Sequence, residues 1–195
     1  MRLITFADLF ATYPDACVTR SLLNRDGEGI EVRYRLASME DLDELYESVL
    51  AAKQHLVAQG IIQWTDDYPL LSHFIGDIEN QQQCVGLIDG EIAFSYVLNK
   101  DCLPEYASGK WKDASVPYLV LHRLCVHPRW QEMGFGRQVL KHLLEQLQAM
   151  GYGAVRLDVY DGNTQANKMY LRKGFEQVGS FEMSIGTINL MELYC

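Results

Sequence analysis

Residues 127–140, HPRWQEMGFGRQVL, decide the fold class, because two glycines stand there between a strand-like and a helix-like segment. Gly134 and Gly136 can adopt positive φ angles, and they let a ligand approach the backbone without a Cβ in the way. The unpaired amides of the following helix would then point at that ligand, with the positive end of the helix dipole behind them. The stretch therefore predicts either an ordinary turn or a binding turn for a phosphate or diphosphate.

Outward from this turn, hydrophobic periodicity predicts the order helix, helix, hairpin, strand, helix, strand, helix, hairpin. The first helix is predicted to begin at Ser38 and to end at Gly60, and Asp89 and Gly90 form the strongest hairpin signal. A strand, helix, strand unit requires a crossover, whereas a tight turn requires antiparallel neighbours. We therefore predict an α/β fold of the α+β mixed kind, with a mixed, mostly antiparallel, twisted sheet and helices on both faces.

Composition narrows the classes of partner. The chain has 195 residues, the length of one ordinary domain, and its formal net charge of -9 argues against nonspecific binding to nucleic acid or to an anionic membrane. No apolar run reaches membrane-spanning length. The cysteines are odd in number and contain no Cys-x-x-Cys pair, so they suggest neither a disulfide framework nor a zinc or other metal site. We expect a soluble, cytoplasmic protein.

Two nucleotide-binding interpretations of the glycine turn are disfavoured by its own residues. A phosphate-binding Walker loop needs Gly-Lys-Ser/Thr, but Gly136 is followed by Arg137 and Gln138. A dinucleotide-binding turn needs a third glycine, and Val139 stands in its place. An NAD-type oxidoreductase remains a weaker alternative, because Asp158 lies on the next strand, where such enzymes keep a ribose-binding acid.

A third interpretation comes from a resemblance to a known family. The spacing of Gln131, Gly134 and Gly136 matches the Gln/Arg-x-x-Gly-x-Gly/Ala motif of the GNAT-type acyl-CoA N-acyltransferases. The segment NTQANKMYLRKGF resembles the family's second motif, Asn-x-x-Ala-x-x-x-Tyr-x-x-x-Gly-Phe, at Asn163, Ala166, Tyr170, Gly174 and Phe175. The resemblance covers residues 30–195, which implies an acyltransferase domain there and leaves 1–29 as an N-terminal extension, expected to pack on the core.

The resemblance implies acetyl-CoA as co-substrate, with no metal, and direct transfer of an acetyl group to a primary amine. Backbone groups of the strand before the glycine turn would pair with the amides of pantetheine, and the turn would hold the diphosphate. The residues that the resemblance and the turn together place against coenzyme A are Leu124, Cys125, Val126, Gln131, Glu132, Met133, Gly134, Phe135, Gly136, Arg137, Asn163, Ala166, Asn167 and Tyr170.

Two residues are candidates for proton transfer. The resemblance places Tyr170 facing the sulfur, and helical spacing puts it on one face with Asn163 and Asn167; the alternative is an ordinary core aromatic. Family members often carry a glutamate base on the strand before the turn, but this strand offers His122, whose imidazole titrates in the right range. A purely structural histidine is the alternative. Cys125 is expected to be an inert packed thiol and not an acyl carrier.

The prediction of where the acceptor amine binds rests on fewer residues. In the family the loop between the first two helices borders the acceptor pocket, which places Trp64 and Tyr68 near the amine of a small molecule or peptide. The alternative is that Trp64 only caps the core, with solvated carboxylates beside it. A non-catalytic acyl-CoA-binding protein is the second functional hypothesis. The apolar segment 187–195 offers a strand that a second subunit could cover, so a homodimer is possible.

Overall fold

The computed structural model of the protein describes residues 18–23, 27–131, 133 and 135–194. Its strands are β1 Val18–Leu23, β2 Gly29–Leu36, β3 Gln83–Ile88, β4 Glu91–Asn99, β5 Tyr118–Val126, β6 Ala154–Tyr160, β7 Glu176–Met183 and β8 Gly186–Tyr194. Its helices are α1 Leu42–Ala58, α2 Leu71–Glu79, α3 Pro128–Gln131, α4 Phe135–Ala149 and α5 Thr164–Arg172. From α1 onward the predicted element order is confirmed, with the short α3 in addition; β1 and β2 precede it.

The described strands form one sheet in the order β1-β2-β3-β4-β5-β6-β8-β7. Only β5 and β6 run parallel, and every other neighbouring pair is antiparallel. Parallel neighbours need a long crossover, which α3 and α4 supply between these two strands. The predicted mixed, mostly antiparallel sheet is therefore confirmed.

The helices cover both faces of the sheet, as predicted. On one face, α4 and α5 pack into a large buried cluster that includes Phe135, Leu140 and Tyr170. On the other face, α1 and α2 pack into a second cluster around Leu45 and Phe74. A third, smaller cluster of Tyr106, Val120 and Leu190 lies under the loop between β4 and β5. Amphipathic helices with one apolar stripe each produce this layered arrangement.

Short-range contacts explain where the first elements begin and end. A 3-10 turn at Met39–Asp41 leads into α1, and the Asp41 carboxylate accepts the Ser38 amide hydrogen at 2.7 Å, as the predicted capping box requires. The Arg35 guanidinium donates to both oxygens of the same carboxylate, at 2.6 and 2.7 Å. The predicted hairpin turns at Asp89 and Gly90, which both have positive φ angles (52° and 87°).

Strand β5 carries a bulge that reverses its alternation. Arg123 has a φ of 47°, and the pairing with β4 shifts between Ser95 and Val97. Val97 and Ser95 lie on the same face of β4. Because Val97 pairs with His122 and Ser95 pairs with Cys125, the side chains of His122 and Cys125 also lie on one face, although their separation in sequence is odd. Regular alternation would instead have placed Leu124 on the face of His122, but it packs with α4 and α5.

The C-terminal strand is not an exposed edge. Strand β8 pairs with β6 on one side and with β7 on the other, so both of its edges are satisfied within the chain. The argument for a covering second subunit assumed an exposed apolar tail, and that premise is wrong; a homodimer stays a prediction. None of the described helices is long and apolar enough to cross a membrane.

Candidate active site

The sheet opens between its two parallel strands. The ladder between β5 and β6 covers only Tyr118 to Val120 against Ala154 to Arg156. Continuing this register would place His122 opposite Asp158, but the strands are no longer paired there. The opening therefore begins at these two side chains, and it leaves the last residues of β5 without a strand partner on the β6 side.

Val126 shows which way the free backbone groups point. The His127 amide donates to the Ala93 carbonyl at 2.9 Å, which makes Val126 and Phe94 a pair that exchanges no hydrogen bonds. The Val126 N–H and C=O therefore point away from β4, towards the opening. The carbonyl accepts the Gln131 side-chain amide at 2.8 Å, so this motif residue also ties the turn to the end of β5.

A cleft of about 320 Å³ lies between β5, the end of α1 and the first turns of α4 and α5. Nine of the residues that the sequence analysis selected line it. They are Trp64, Leu124, Cys125, Val126, Gln131, Gly136, Arg137, Asn163 and Ala166. The two motifs, which are far apart in the sequence, thus meet at one cleft.

The glycine turn is described only in part. Glu132 and Gly134 lie outside the described residues. Gly136 lies at the start of α4, where a Cβ would come within 3.4 Å of the Met169 sulfur, against the wall of the cleft. Phe135 is fully buried and Met133 is partly buried against the same core, so both point away from the cleft and contribute packing.

The polar side chains of α5 are largely engaged within the protein. Asn163 accepts the Ala166 amide hydrogen at 3.0 Å, which caps the helix, and donates to Gln63 at 2.7 Å. Asn167 does not line the cleft; its amide donates to the carbonyls of Tyr160 and Asn163, each at 2.9 Å. Asn163 and Asn167, which helical spacing predicts on one face, therefore serve mainly to cap α5 and to anchor it.

Tyr170 is buried on the face of α4 and α5, and its ring packs against Phe175 at 5.4 Å. Its hydroxyl forms no hydrogen bond with any described residue. Burial raises the pKa of Tyr170, and the charge of Asp158 raises it further. The side chain is thus a neutral phenol with a free hydroxyl that senses the charge of Asp158, and it does not itself line the cleft.

His122 lies on the opposite face in a polar network. Its Nε2 atom is 2.9 Å from Asn99 Oδ1 and 3.0 Å from the Asp101 carbonyl oxygen. Burial lowers the pKa of His122, and the carboxylate of Asp158 partly offsets that effect. The same Asp158 accepts a hydrogen bond from the Tyr106 hydroxyl at 2.7 Å. An imidazole that stays neutral at physiological pH is able to accept a proton.

The two predicted acceptor residues are separated. Trp64 is buried against the second cluster and lines the cleft of the motif residues. Tyr68 does not line that cleft; its hydroxyl accepts a hydrogen bond from Arg123 at 3.1 Å. Arg123 also forms a largely buried ion pair with Asp77 of α2, and burial raises the pKa of Asp77 although Arg123 opposes it. This ion pair fixes α2 against the bulge.

Cys125 has the environment of an unreactive thiol. It is buried, and burial raises its pKa to about 12, so almost none of it ionises near neutral pH. Within the described residues, no group of three or more His, Cys, Asp and Glu side chains is placed to hold a metal ion.

The sequence analysis missed several residues that complete the cleft. They are Ala52, Leu56, Gln59, Gln63, Gln165, Met169 and Arg172. Arg172 and Arg137 bring positive charge to the cleft in a chain of net charge -9, and neither forms an ion pair with a described residue. Helical spacing could have found Met169 and Arg172, since they follow Gln165 and Ala166 on one face of α5.

With this geometry in place, comparison with known proteins identifies the class. Residues 36–175 match the Acetyltransferase (GNAT) family, and the chain belongs to that family. It is therefore an acyltransferase, and the NAD-type alternative is wrong. A crystal structure of a GNAT family acetyltransferase from Streptococcus agalactiae has the same fold, with a TM-score of 0.74 and 22% identity, over 84% of this chain and 95% of that one.

Two further relatives are informative. The structure of yncA from Salmonella typhimurium with its cofactor acetyl-CoA matches with a TM-score of 0.60 and 16% identity, over 84% of this chain and 93% of that one. The [Ribosomal protein bS18]-alanine N-acetyltransferase of Haemophilus ducreyi is 40% identical over 58 residues. That match spans 30% of this chain and 40% of the relative, so it covers less than half of either protein.

Proposed function

We propose that the protein transfers an acetyl group from acetyl-CoA directly to a primary amine of a small molecule or peptide, in the cytoplasm. The observation that carries this proposal is the opening of the sheet between β5 and β6. The cleft of the motif residues lies at this opening, Tyr170 approaches from one face, and His122 lies on the other. A positioned thioester, a hydrogen-bond donor and a base are the groups that the reaction needs.

The residues present fit coenzyme A. The Val126 N–H, which points away from β4, can pair with an amide-bearing arm as a neighbouring strand would, and Gly136 leaves room at the cleft wall. The first amides of α4, together with Arg137 and Arg172, suit a diphosphate. When bound there, acetyl-CoA supplies an acetyl group activated as a thioester. Gln63 and Asn163 would have to exchange their mutual hydrogen bond for contacts with the pantetheine arm.

In this proposal, His122 takes a proton from the acceptor amine. An alkyl amine is mostly protonated near pH 7, since its pKa is about 10.4, so a neutral nitrogen must be generated before it can attack. One proton passes from the ammonium nitrogen to the imidazole before attack. Attack then forms the C–N bond and breaks the C–S bond, and the second proton leaves the nitrogen for solvent. Tyr170 donates a hydrogen bond to the departing sulfur. Because the pKa of Tyr170 is raised, we expect the departing thiolate to take a proton from solvent, while the His122 imidazolium releases its own proton to solvent.

The charge at the opening favours a cationic acceptor. The Arg123 and Asp77 charges offset one another, which leaves Asp158 as the charged group beside His122. Tyr68 and Tyr106 supply aromatic surface on the same face of the sheet as His122. The Haemophilus ducreyi relative acts on an alanine of a ribosomal protein, so alanyl peptides belong among the acceptors to be tested.

The test is thiol release from acetyl-CoA by the purified protein, with polyamines, amino acids, aminoglycosides and short peptides as acceptors. We expect Tyr170→Phe to slow transfer about 100-fold or more, with acetyl-CoA affinity nearly unchanged. The matched control is Tyr46→Phe, which removes a hydroxyl from the second cluster and should leave the rate as it is. Equal rates for wild type and Tyr170→Phe would remove Tyr170 from the mechanism.

A non-catalytic acyl-CoA-binding protein is the alternative outcome. Calorimetric binding of acetyl-CoA without thiol release, across every class of acceptor in the panel, would favour it. A His122→Gln variant adds a second check, because loss of the base should lower the rate without weakening acetyl-CoA binding.

A further inference from the structure

We propose that Asn99 is a positioning residue that fixes the tautomer of His122, so that Nδ1 is the ring atom that accepts the proton of the acceptor amine. This inference rests on the proposed role of His122 as base. Asn99 is the last residue of β4 and does not line the cleft. It acts through the histidine and does not itself touch the reacting atoms.

The contacts of Nε2 identify the protonated ring nitrogen. Nε2 lies 2.9 Å from Asn99 Oδ1 and 3.0 Å from the carbonyl oxygen of Asp101. Neither oxygen can donate, so both bonds require a hydrogen on Nε2. In the neutral imidazole only one nitrogen carries hydrogen, and His122 must therefore keep its lone pair on Nδ1.

The orientation of the Asn99 amide is fixed independently of the histidine. Its Oδ1 accepts the backbone N–H of Asp101 at 3.0 Å, and a backbone N–H cannot pair with the amide nitrogen. Its Nδ2 donates to Gln82 Oε1 at 3.0 Å, which satisfies the other end of the group. A flipped amide would lose the Asp101 contact and present donors to the imidazole, so the assignment of oxygen to the His122 side is determined by the network.

Nδ1 remains available to take up a proton. It has no hydrogen-bond partner among the described residues, whereas Nε2 has two. The register between β5 and β6 places His122 at the start of the opening, opposite Asp158. Asn99 thus selects the basic nitrogen both directly and through Asp101, whose backbone N–H it accepts and whose carbonyl is the second partner of Nε2, so its removal should release both contacts.

The charged groups around His122 set the direction of the expected pH effects. Asp158 faces it from β6 and Asp77 from α2, while Arg123 is its neighbour on β5. Asp101, in the loop after β4, contributes its backbone carbonyl. An added carboxylate on β4 would favour the protonated imidazole, because an opposite charge nearby stabilises the charged form.

The first measurement is the tautomer itself, in the intact chain labelled with ¹⁵N-histidine. A long-range ¹H–¹⁵N correlation spectrum above the titration range distinguishes protonated from unprotonated ring nitrogens, and a His122→Gln variant assigns the signal. We expect hydrogen on Nε2 in the wild type and a mixture of tautomers in Asn99→Ala. Hydrogen on Nδ1 in the wild type, or an unchanged tautomer in Asn99→Ala, would overturn the proposal.

The second measurement is the pH profile of kcat. The Asn99→Asp variant keeps an acceptor oxygen for Nε2 and adds a charge, so we expect the acidic limb to move to higher pH by about 1 unit. Asn99→Ala should lower kcat about tenfold, which corresponds to about 1.4 kcal/mol, and leave KM for acetyl-CoA unchanged. Asn80→Ala, at the exposed end of α2, is the matched control and should behave as wild type.

The two proposals fail in different ways. If His122→Gln retains the wild-type rate, the assignment of the base is wrong, whatever the tautomer. If His122→Gln is slow but Asn99→Asp leaves the acidic limb where it was, the role of Asn99 is wrong and His122 remains the base. Should Asn99→Ala fail to fold, the spectrum of the wild type and the profile of Asn99→Asp still decide the question.

Discussion

The two faces of the sheet at its opening are built by different means. On the face of α4 and α5, the cleft relies on backbone groups, a glycine and small side chains, such as Val126, Gly136 and Ala166. On the other face, side chains are positioned by partners far along the chain: His122 by Asn99, and Arg123 by Asp77, 46 residues away. One face is shaped mainly by backbone and small side chains, and the other mainly by polar side chains with distant partners.

This difference determines what each face can tolerate. A backbone-built cleft is fixed as soon as the strand, turn and helix form, and it resists most substitutions except those that fill it. A network of buried polar side chains depends on every member, because a lost partner leaves another group desolvated and unpaired. Substitutions on the two faces should therefore fail for different reasons.

The largest effect is expected from Asp77→Ala, on the face of the sheet that carries His122 and Arg123, which we call the network face. Removing this carboxylate leaves the Arg123 guanidinium buried without its ion pair, and its Nε already has no partner among the described residues. We expect the free energy of unfolding to fall by about 3–5 kcal/mol, measured by urea denaturation. Asp66→Ala is the control, since that carboxylate is fully exposed beside Lys53, and its midpoint should not change. A loss below about 1 kcal/mol for Asp77→Ala would mean that water replaces the pair.

On the cleft face, Gly136→Glu should abolish binding without unfolding the protein. The new side chain would enter the wall near Met169 and place a negative charge where the diphosphate is expected, whereas glutamate in a first helical turn favours the helix. We expect the Kd for acetyl-CoA, measured by calorimetry, to rise about 100-fold, or about 2.7 kcal/mol. The control is Gly76→Glu on α2, where nothing lies within 4 Å of the new Cβ. Wild-type affinity in Gly136→Glu would contradict the assigned cleft.

A smaller effect is expected from the exposed arginines of the cleft. Arg172→Gln should weaken acetyl-CoA binding about 2- to 5-fold, because exposed charge pairs contribute only about 0.2–1 kcal/mol. The loss should shrink as salt is added. Arg129→Gln, which removes an arginine paired with Glu91 outside the cleft, serves as the control. Equal losses for both variants would show that Arg172 acts only through the net charge.

The smallest effect is expected in the pH dependence of kcat, which depends on His122 on the network face. Burial lowers the pKa of His122 below the 6.5 of an ordinary histidine, so the neutral base persists to more acidic pH. We expect kcat to be flat above pH 6.5 and to fall only below it, with the fall absent in His122→Gln. An acidic limb above pH 6.5 would indicate another base.

The same division explains what the sequence could predict. The order of the elements from α1 onward and the binding turn at Gly134 and Gly136 followed from periodicity, glycine positions and the two family motifs, which are read from short stretches of sequence. The bulge at Arg123 could not be predicted, because no glycine or proline marks it and the pairing with β4 decides it. Gln63 and Asn99 were missed for the same reason, since only the fold brings them to Asn163 and His122.

The bulge at Arg123 also acts as a phase shift along β5. Upstream of it, the even-numbered Tyr118 and Val120 pack into the third cluster, under the loop between β4 and β5; downstream, the odd-numbered Cys125 packs into the second cluster, with α1 and α2. A gap-free alignment of β5 with an unbulged strand would therefore match residues from opposite faces over the last three residues, Leu124 to Val126. Deleting the extra residue at the bulge would restore simple alternation and leave Leu124 and Cys125 on the faces that they occupy now, because Val97 and Ser95 would keep His122 and Cys125 as partners.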